Sequence, residues 1–237
     1  MHPSLKSLFT AYENMDPLTK RQKAITPRLL RKLVESSQHS ALLDTAPAVA
    51  ADIVTGGFFF ATRSCEYSKT PVPGKTKCID LDGLLFRTGS KVEVLHSDPL
   101  LLEISEFVTV TFVNQMNGIK MDSRSQRRTG DPILCPVLRY GTQVQRILRT
   151  VPNPTGSTTI NTLVIDGKIG LITNSYILNL LRNTCRSFGG KATFGFDPHE
   201  IGNKSIRSGA AMALFINDNH PTKIMIMGRW SSEAFLA

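Results

Sequence analysis

Apolar positions recur at helical spacing at both ends of the chain and give way to β-branched and alternating stretches in its middle. Leu29, Leu30, Leu33 and Val34 form a helical stripe, and Thr26-Pro27 ahead of them reads as an N-cap followed by proline at the first helical position. A second helix is predicted from Thr45-Ala46-Pro47 to about Phe60, weakened at Gly56 and Gly57 by ~1 kcal/mol each relative to alanine. Segment 77–86 begins with strand-like alternation, 91–95 is suited to pair with it, and 106–113 is rich in β-branched and aromatic residues. Asn117-Gly118 then signals a two-residue hairpin, because both residues tolerate positive φ. A helix is predicted from Pro136 to about Thr150, a loop over 152–159 and a short hairpin around Asp166-Gly167. The clearest amphipathic helix is 174–188, where Ile177, Leu180, Leu181, Cys185 and Phe188 share a face and Gly189-Gly190 end it. Further helices are predicted over 204–216, 221–228 and from 231 onward, and residues 1–16 read as the end of a helix with Leu5, Leu8 and Phe9 on one side. Helices, then a small antiparallel sheet, then helices again predict an α+β fold.

The 237 residues allow one to two domains at ~150 residues each. With 41% apolar and 20% charged residues the composition is that of an ordinary globular chain. Charge is more telling. Twenty-eight Lys and Arg against 19 Asp and Glu leave a net +9, which points to a polyanionic partner, nucleic acid first. The run Lys20, Arg21, Lys23, Arg28, Arg31 and Lys32 is either part of such a surface or a solvated linker and helix face. The return arm of the 117–118 hairpin carries Lys120, Arg124, Arg127 and Arg128, a set poorly suited to packing and well suited to phosphates. No apolar run approaches the ~18 residues of a membrane span, and the first residues lack the apolar block of a signal peptide, so no membrane partner is expected and an intracellular location is. Cys65, Cys78, Cys135 and Cys185 form no C-x-x-C pair, which argues against zinc and for free thiols in a reducing compartment.

Four segments give the chain a resemblance to a known family: KRQKAITPRLLRKL (20–33), FFFATRSCEYSK (58–69), the hairpin region TFVNQMNGIK through GDPILCPV (111–137), and IGNKSIRSGAAMALF with IMIMGRWSSEAFLA (201–215 and 224–237). In order and spacing they resemble the catalytic domain of the tyrosine recombinases, or phage integrases, most closely the mobile-element branch of eukaryotes. The resemblance implies a mainly helical catalytic domain over 20–237 with a small antiparallel sheet, and a tail of a preceding core-binding domain over 1–19. It implies double-stranded DNA as partner, with assembly of several copies on it left open, a nuclear location in a eukaryotic host, and strand exchange through a 3′-phosphotyrosine. That chemistry needs neither metal, ATP nor organic cofactor, because the covalent intermediate conserves the bond energy.

By the same resemblance Arg63 and Arg207 would grip the non-bridging oxygens of the pentacoordinate phosphate, a task suited to a planar, permanently charged fork. The local alternative for Arg63 is an ion pair with Glu66, and for Arg207 a solvated helix position. Lys204 stands three residues before Arg207, where close relatives most often carry histidine, and is a poorer base than imidazole near neutral pH; His199 reads as a loop residue. The hairpin position of the family's general-acid lysine holds Met116, and Lys120 across the turn is the candidate substitute, a DNA-backbone or solvent contact being the alternative. Trp230 occupies the family's histidine-or-tryptophan position; ordinary core packing is the other reading of this lone tryptophan. Lys20, Arg21, Lys23, Arg124, Arg127 and Arg128 are the candidate DNA-backbone contacts. The nucleophilic tyrosine would fall about eight or nine residues beyond Trp230, whereas Tyr12, Tyr67, Tyr140 and Tyr176 all lie upstream. The expectation is a fragment ending just before its nucleophile, or a decayed copy acting as a non-catalytic DNA-binding protein; either way this chain should not cleave DNA.

Overall fold

A computed structural model describes residues 22–38, 44–70, 76–115 and 119–230. Residues 1–21, including Lys20 and Arg21, Met116-Asn117-Gly118 and the helix expected from 231 onward lie outside the described residues. The fold is α+β, with helices before and after two small antiparallel sheets.

Helix α1 spans Pro27–Gln38, and the Thr26 hydroxyl accepts the Leu29 N–H at its start. Its stripe of Leu29, Leu30, Leu33 and Val34 is fully buried, worth roughly 1.5–3 kcal/mol per side chain. Helix α2 spans Ala46–Phe59 with Thr45 as N-cap and is buried along most of its length. Its Gly56 has a packing reason: a Cβ there would lie 2.3 Å from the ring of Tyr140, which stacks on Phe60. A short helix, α3, covers Ser64–Tyr67.

The first sheet has the order β2-β1-β3-β4, from β1 Leu84–Arg87, β2 Glu93–Val94, β3 Phe107–Asn114 and β4 Lys120–Arg127. Residues 77–86 are therefore only partly strand. Asp80 caps a 3-10 turn at Leu81–Gly83 by accepting the Gly83 N–H, which ends the apparent alternation. Between β2 and β3 stands a helix, α4 Pro99–Ile104, which the hydrophobic pattern did not predict although Asp98-Pro99 begins it as cap and first residue. On the inner face Val108, Val110 and Phe112 of β3 and Phe86 of β1 enter the core. Outward, Thr109 and Thr111 share hydroxyl hydrogen bonds with Ser125 and Ser123.

Helix α5 spans Pro136–Thr150 as its pattern predicts and packs on α2. Its Arg139 and Arg146, two turns apart, both bind the buried Asp52 of α2, at 3.3 and 2.8 Å. Burial still pushes the Asp52 carboxyl up from its ordinary value. Strands β5 Thr162–Ile165 and β6 Lys168–Leu171 close through Asp166 and Gly167, both at positive φ, as expected of that dipeptide. Helix α6 spans Asn174–Ser187 and buries Ile177, Leu181 and Cys185, but Phe188 stays 37% exposed with Lys32 Nζ over its ring. Gly189 and Gly190 turn the chain directly into α7, Gly190–Phe194, rather than into a loop. Helices α8 Ser205–Ile216 and α9 Pro221–Gly228 follow. Among the described residues no helix is long and apolar enough to cross a membrane.

The loop before α5 is held to α1 by Asp131, whose carboxylate pairs with Arg31 and accepts the N–H groups of Ile133 (2.8 Å) and Leu134 (3.0 Å). The Arg31 hydrogen bond, helped by those amides, lowers its carboxyl from 3.8 to about 2. A depressed carboxyl stabilises the fold above its unfolded value, and that contribution is lost as pH falls through the folded one. Asp131→Asn should cost about 1–2 kcal/mol after discounting the solvent-screened Coulomb part. It should also flatten the stability profile between pH 4 and 2, read by urea melts across that range. A profile as steep as the parent's would contradict the assignment.

Candidate functional site

Arg63 lies at the N-cap of α3, in extended conformation, and Glu66 reaches back to it from the third helical position. One Glu66 oxygen accepts the Arg63 backbone N–H at 2.8 Å, and the other pairs with Arg63 Nη1 at 3.1 Å. The local ion-pair alternative for Arg63 is thus present, but Glu66 does more than serve Arg63. Its carboxylate is wholly buried and also binds Arg229 Nη2 at 2.6 Å, and the Arg229 side chain is itself wholly buried.

Arg229 ends α9 in the left-handed region, at φ 58°, a conformation uncommon for a residue with a Cβ. The turn carries its guanidinium inward. There Nη1 donates to the Phe60 carbonyl (3.1 Å), Nε donates to Gln115 Oε1 (3.1 Å), and Cζ sits 3.5 Å from the Phe112 ring centroid. Gln115 in turn donates from Nε2 to Asp122 at 3.1 Å, and Asp122 pairs with Arg124. Burial, and the nearby charge of Arg63, lower the Arg229 pKa against the pull of Glu66.

Arg207 reaches the same place from α8. Its Nη2 donates to the Gly228 carbonyl, and its Cζ stands 4.4 Å over the Trp230 ring. Gly228 makes room for that ring, since a Cβ there would lie 1.5 Å from it. Gly209 does similar service two residues after Arg207: its missing Cβ lets the Ile25 carbonyl approach, so the chain entering α1 can lie on α8. Arg207 Nε is buried without a hydrogen-bond partner, and no carboxylate among the described residues lies within ion-pair distance of Arg207. Burial, then the charges of Arg63 and Arg229, lower its pKa to about 9. Three guanidinium groups thus gather about one carboxylate that serves two of them, and Arg207 is the one left without it. An anion seated beside Arg207 and Arg63 would supply the missing charge.

The structure brings Arg63, Arg207 and Trp230 together. Lys204 is the exposed N-cap residue of α8, one turn before Arg207; its backbone N–H donates to Gln22. Lys120 begins β4 opposite Asn114 and is exposed. No contact joins either lysine to the arginines. Lys23 is exposed, with its backbone N–H on the Glu200 carbonyl.

The hairpin cations behave differently from expectation. Arg124 donates to the Ile226 carbonyl of α9 at 3.0 Å, and Arg128 caps α4 through the Ser105 (2.7 Å) and Glu103 carbonyls. These two arginines do pack, because open helix ends offer carbonyls that sequence spacing does not display. Arg127 keeps a side chain 74% exposed, 3.6 Å from Glu106.

Among the described tyrosines, Tyr67 and Tyr140 are buried and burial raises both phenols well above their ordinary value. Neither is suited to attack a phosphate. No group of three His, Cys, Asp or Glu among the described residues could hold a metal ion. The residue missed by sequence reasoning is Arg229. An arginine after the last turn of a helix reads as a solvated cap, and nothing in its spacing announces burial on Glu66.

Compared with known proteins, the chain matches no protein-family model and no curated protein.

Proposed function

We propose that the chain is the catalytic domain of a tyrosine recombinase, binding duplex DNA and gripping one backbone phosphate with Arg63 and Arg207. The observation that carries this reading is the uncompensated Arg207 guanidinium, stacked on Trp230 and set beside Arg63 although the two arginines come from distant segments. A planar fork with an open donor suits a phosphate oxygen, and Glu66 with Arg229 forms a buried frame that fixes where Arg63 stands. Lys204 and Lys120 take the roles of further phosphate and leaving-group contacts. A second reading, a non-catalytic DNA-binding protein derived from such an enzyme, draws on Lys204 in place of histidine and Met116 in place of the hairpin lysine.

Fluorescence anisotropy with a labelled duplex tests the DNA-binding core of both readings. Affinity should fall steeply with salt, with log K linear in log[salt]. Arg207→Ala should lower affinity several-fold and reduce the salt slope by about one. Arg127→Glu should weaken all duplex sequences alike, and is preferred to changes at Arg124 and Arg128, which hold the hairpin. Salt-independent binding, or an Arg207→Ala slope equal to the parent's, would remove the phosphate site.

A further inference from the structure

The first sheet has a second face, turned away from the arginine cluster. The side chains at Asp122, Arg124 and Gln126 look inward to α9 and Phe59, while Ser123, Ser125 and Arg127 alternate outward. On the outer side a surface cavity of about 230 Å³ is lined by Arg87, Lys91, Phe107 and Ser125. That is smaller than the ~300–1,000 Å³ of a cleft that encloses a drug-sized molecule, and suits a single unit of a longer ligand.

Its chemistry is specific. Arg87 donates Nη1 to Thr109 Oγ1 at 3.2 Å, Thr109 is hydrogen-bonded to Ser125, and the rest of the Arg87 fork is left for another acceptor. Neither Arg87 nor Lys91 forms an ion pair among the described residues: Glu93, opposite Arg87 across the β1–β2 pair, makes none with it, and Glu106 faces Arg127 and Arg128. The Phe107 ring carries Arg127 Cζ at 5.9 Å from its centroid and also lines the cavity. Lys91 supplies a second, independent sign. It is held at φ 66° in the β1–β2 turn by bonds from its N–H to the Thr88 carbonyl and from the Thr88 N–H to the Val92 carbonyl. Glycine or asparagine would take that backbone at little cost, whereas lysine strains it and gains no internal partner.

We propose that this outer sheet face binds a nucleotide of single-stranded nucleic acid, with the base on Phe107 and its phosphate on Arg87 and Lys91. An unpaired base is required, since in a duplex both faces of a base are covered, whereas a strand offers base faces to an aromatic ring at about 1–3 kcal/mol each. The site lies on the side of the sheet opposite the arginine cluster and does not depend on it.

The test uses the 237-residue chain and a fluorescein-labelled strand of about ten nucleotides, within the span of known single-strand sites, beside a duplex of equal length. Phe107→Leu keeps an apolar side chain in β3 and should weaken strand binding about 5–10-fold, as expected for one lost stack, with a smaller loss for the duplex, which Arg127 beside the same ring contacts. Lys91→Gly should weaken strand binding about 3-fold or more while melting no earlier than the parent, because it relieves the positive φ. Thymidine monophosphate should compete better than inorganic phosphate. Arg207→Ala should leave strand binding intact, so failure of the recombinase reading would show there in the duplex alone. Strand binding that is absent, or indifferent to both Phe107→Leu and Lys91→Gly, would overturn the proposal. So would equal losses for strand and duplex, which would mark a general cationic surface, or equal competition by inorganic phosphate.

Discussion

Glu66→Ala should destabilise the protein by about 3–5 kcal/mol, the usual result of removing one partner from a buried ion pair. Two guanidinium groups and the Arg63 amide lose their acceptor at once, and Arg229 is left charged in a fully buried position. For a chain of this size the loss corresponds to a fall in Tm on the order of 10 °C. Glu66→Gln should cost less, since it keeps an oxygen for the Arg63 N–H. Pairing Glu66→Met with Arg229→Met should recover much of the stability, because the penalty comes from the orphaned charge and an apolar pair of similar volume removes it. Urea or thermal unfolding reads all three variants. A single Glu66→Ala variant as stable as the parent would show that the carboxylate does not hold the cluster.

Arg207→Ala should have the opposite character. Arg207 has an unpartnered Nε and two neighbouring cations, so its removal should leave stability unchanged or raise it. Its cost should appear in chemistry. In a longer chain carrying a tyrosine at position 238 or 239, on a nicked duplex, covalent attachment should slow by roughly 10²–10³-fold, as when one preorganised donor is taken from a developing charge. Arg207→Lys should not restore the rate, because an ammonium offers neither the planar fork nor the same stacking on Trp230. The measurement is single-turnover formation of the protein–DNA adduct on a denaturing gel. Attachment at the parent rate in Arg207→Ala would dissociate Arg207 from the reaction. Stability falling alongside the rate would instead assign it to the frame, with Glu66.

Sequence patterning located most of the elements because their signals are local. Thr26-Pro27, Thr45-Ala46-Pro47 and Asp166-Gly167 each set a boundary or a turn through their own backbone chemistry. Helix α4 was missed because six residues give too little periodicity, although Asp98-Pro99 marks its start. Motif resemblance singled out Arg63, Arg207 and Trp230, and the structure sets Arg207 over Trp230 with the charge of Arg63 nearby. Arg229 and the packing roles of Arg124 and Arg128 were not legible. Each depends on a partner far along the chain, a carboxylate for Arg229 and helix-end carbonyls for the others, and no short window contains both members.

Gln115 gives the molecule a wire with two terminals. Its amide presents an acceptor to Arg229 and a donor to Asp122, and the planar group cannot turn toward one without turning from the other. The end of β3 and the buried arginine frame are therefore joined twice, through the Gln115 amide and through the Phe112 ring beside Arg229. A ligand that displaced the end of β3 would thus shift both supports of Arg229 together.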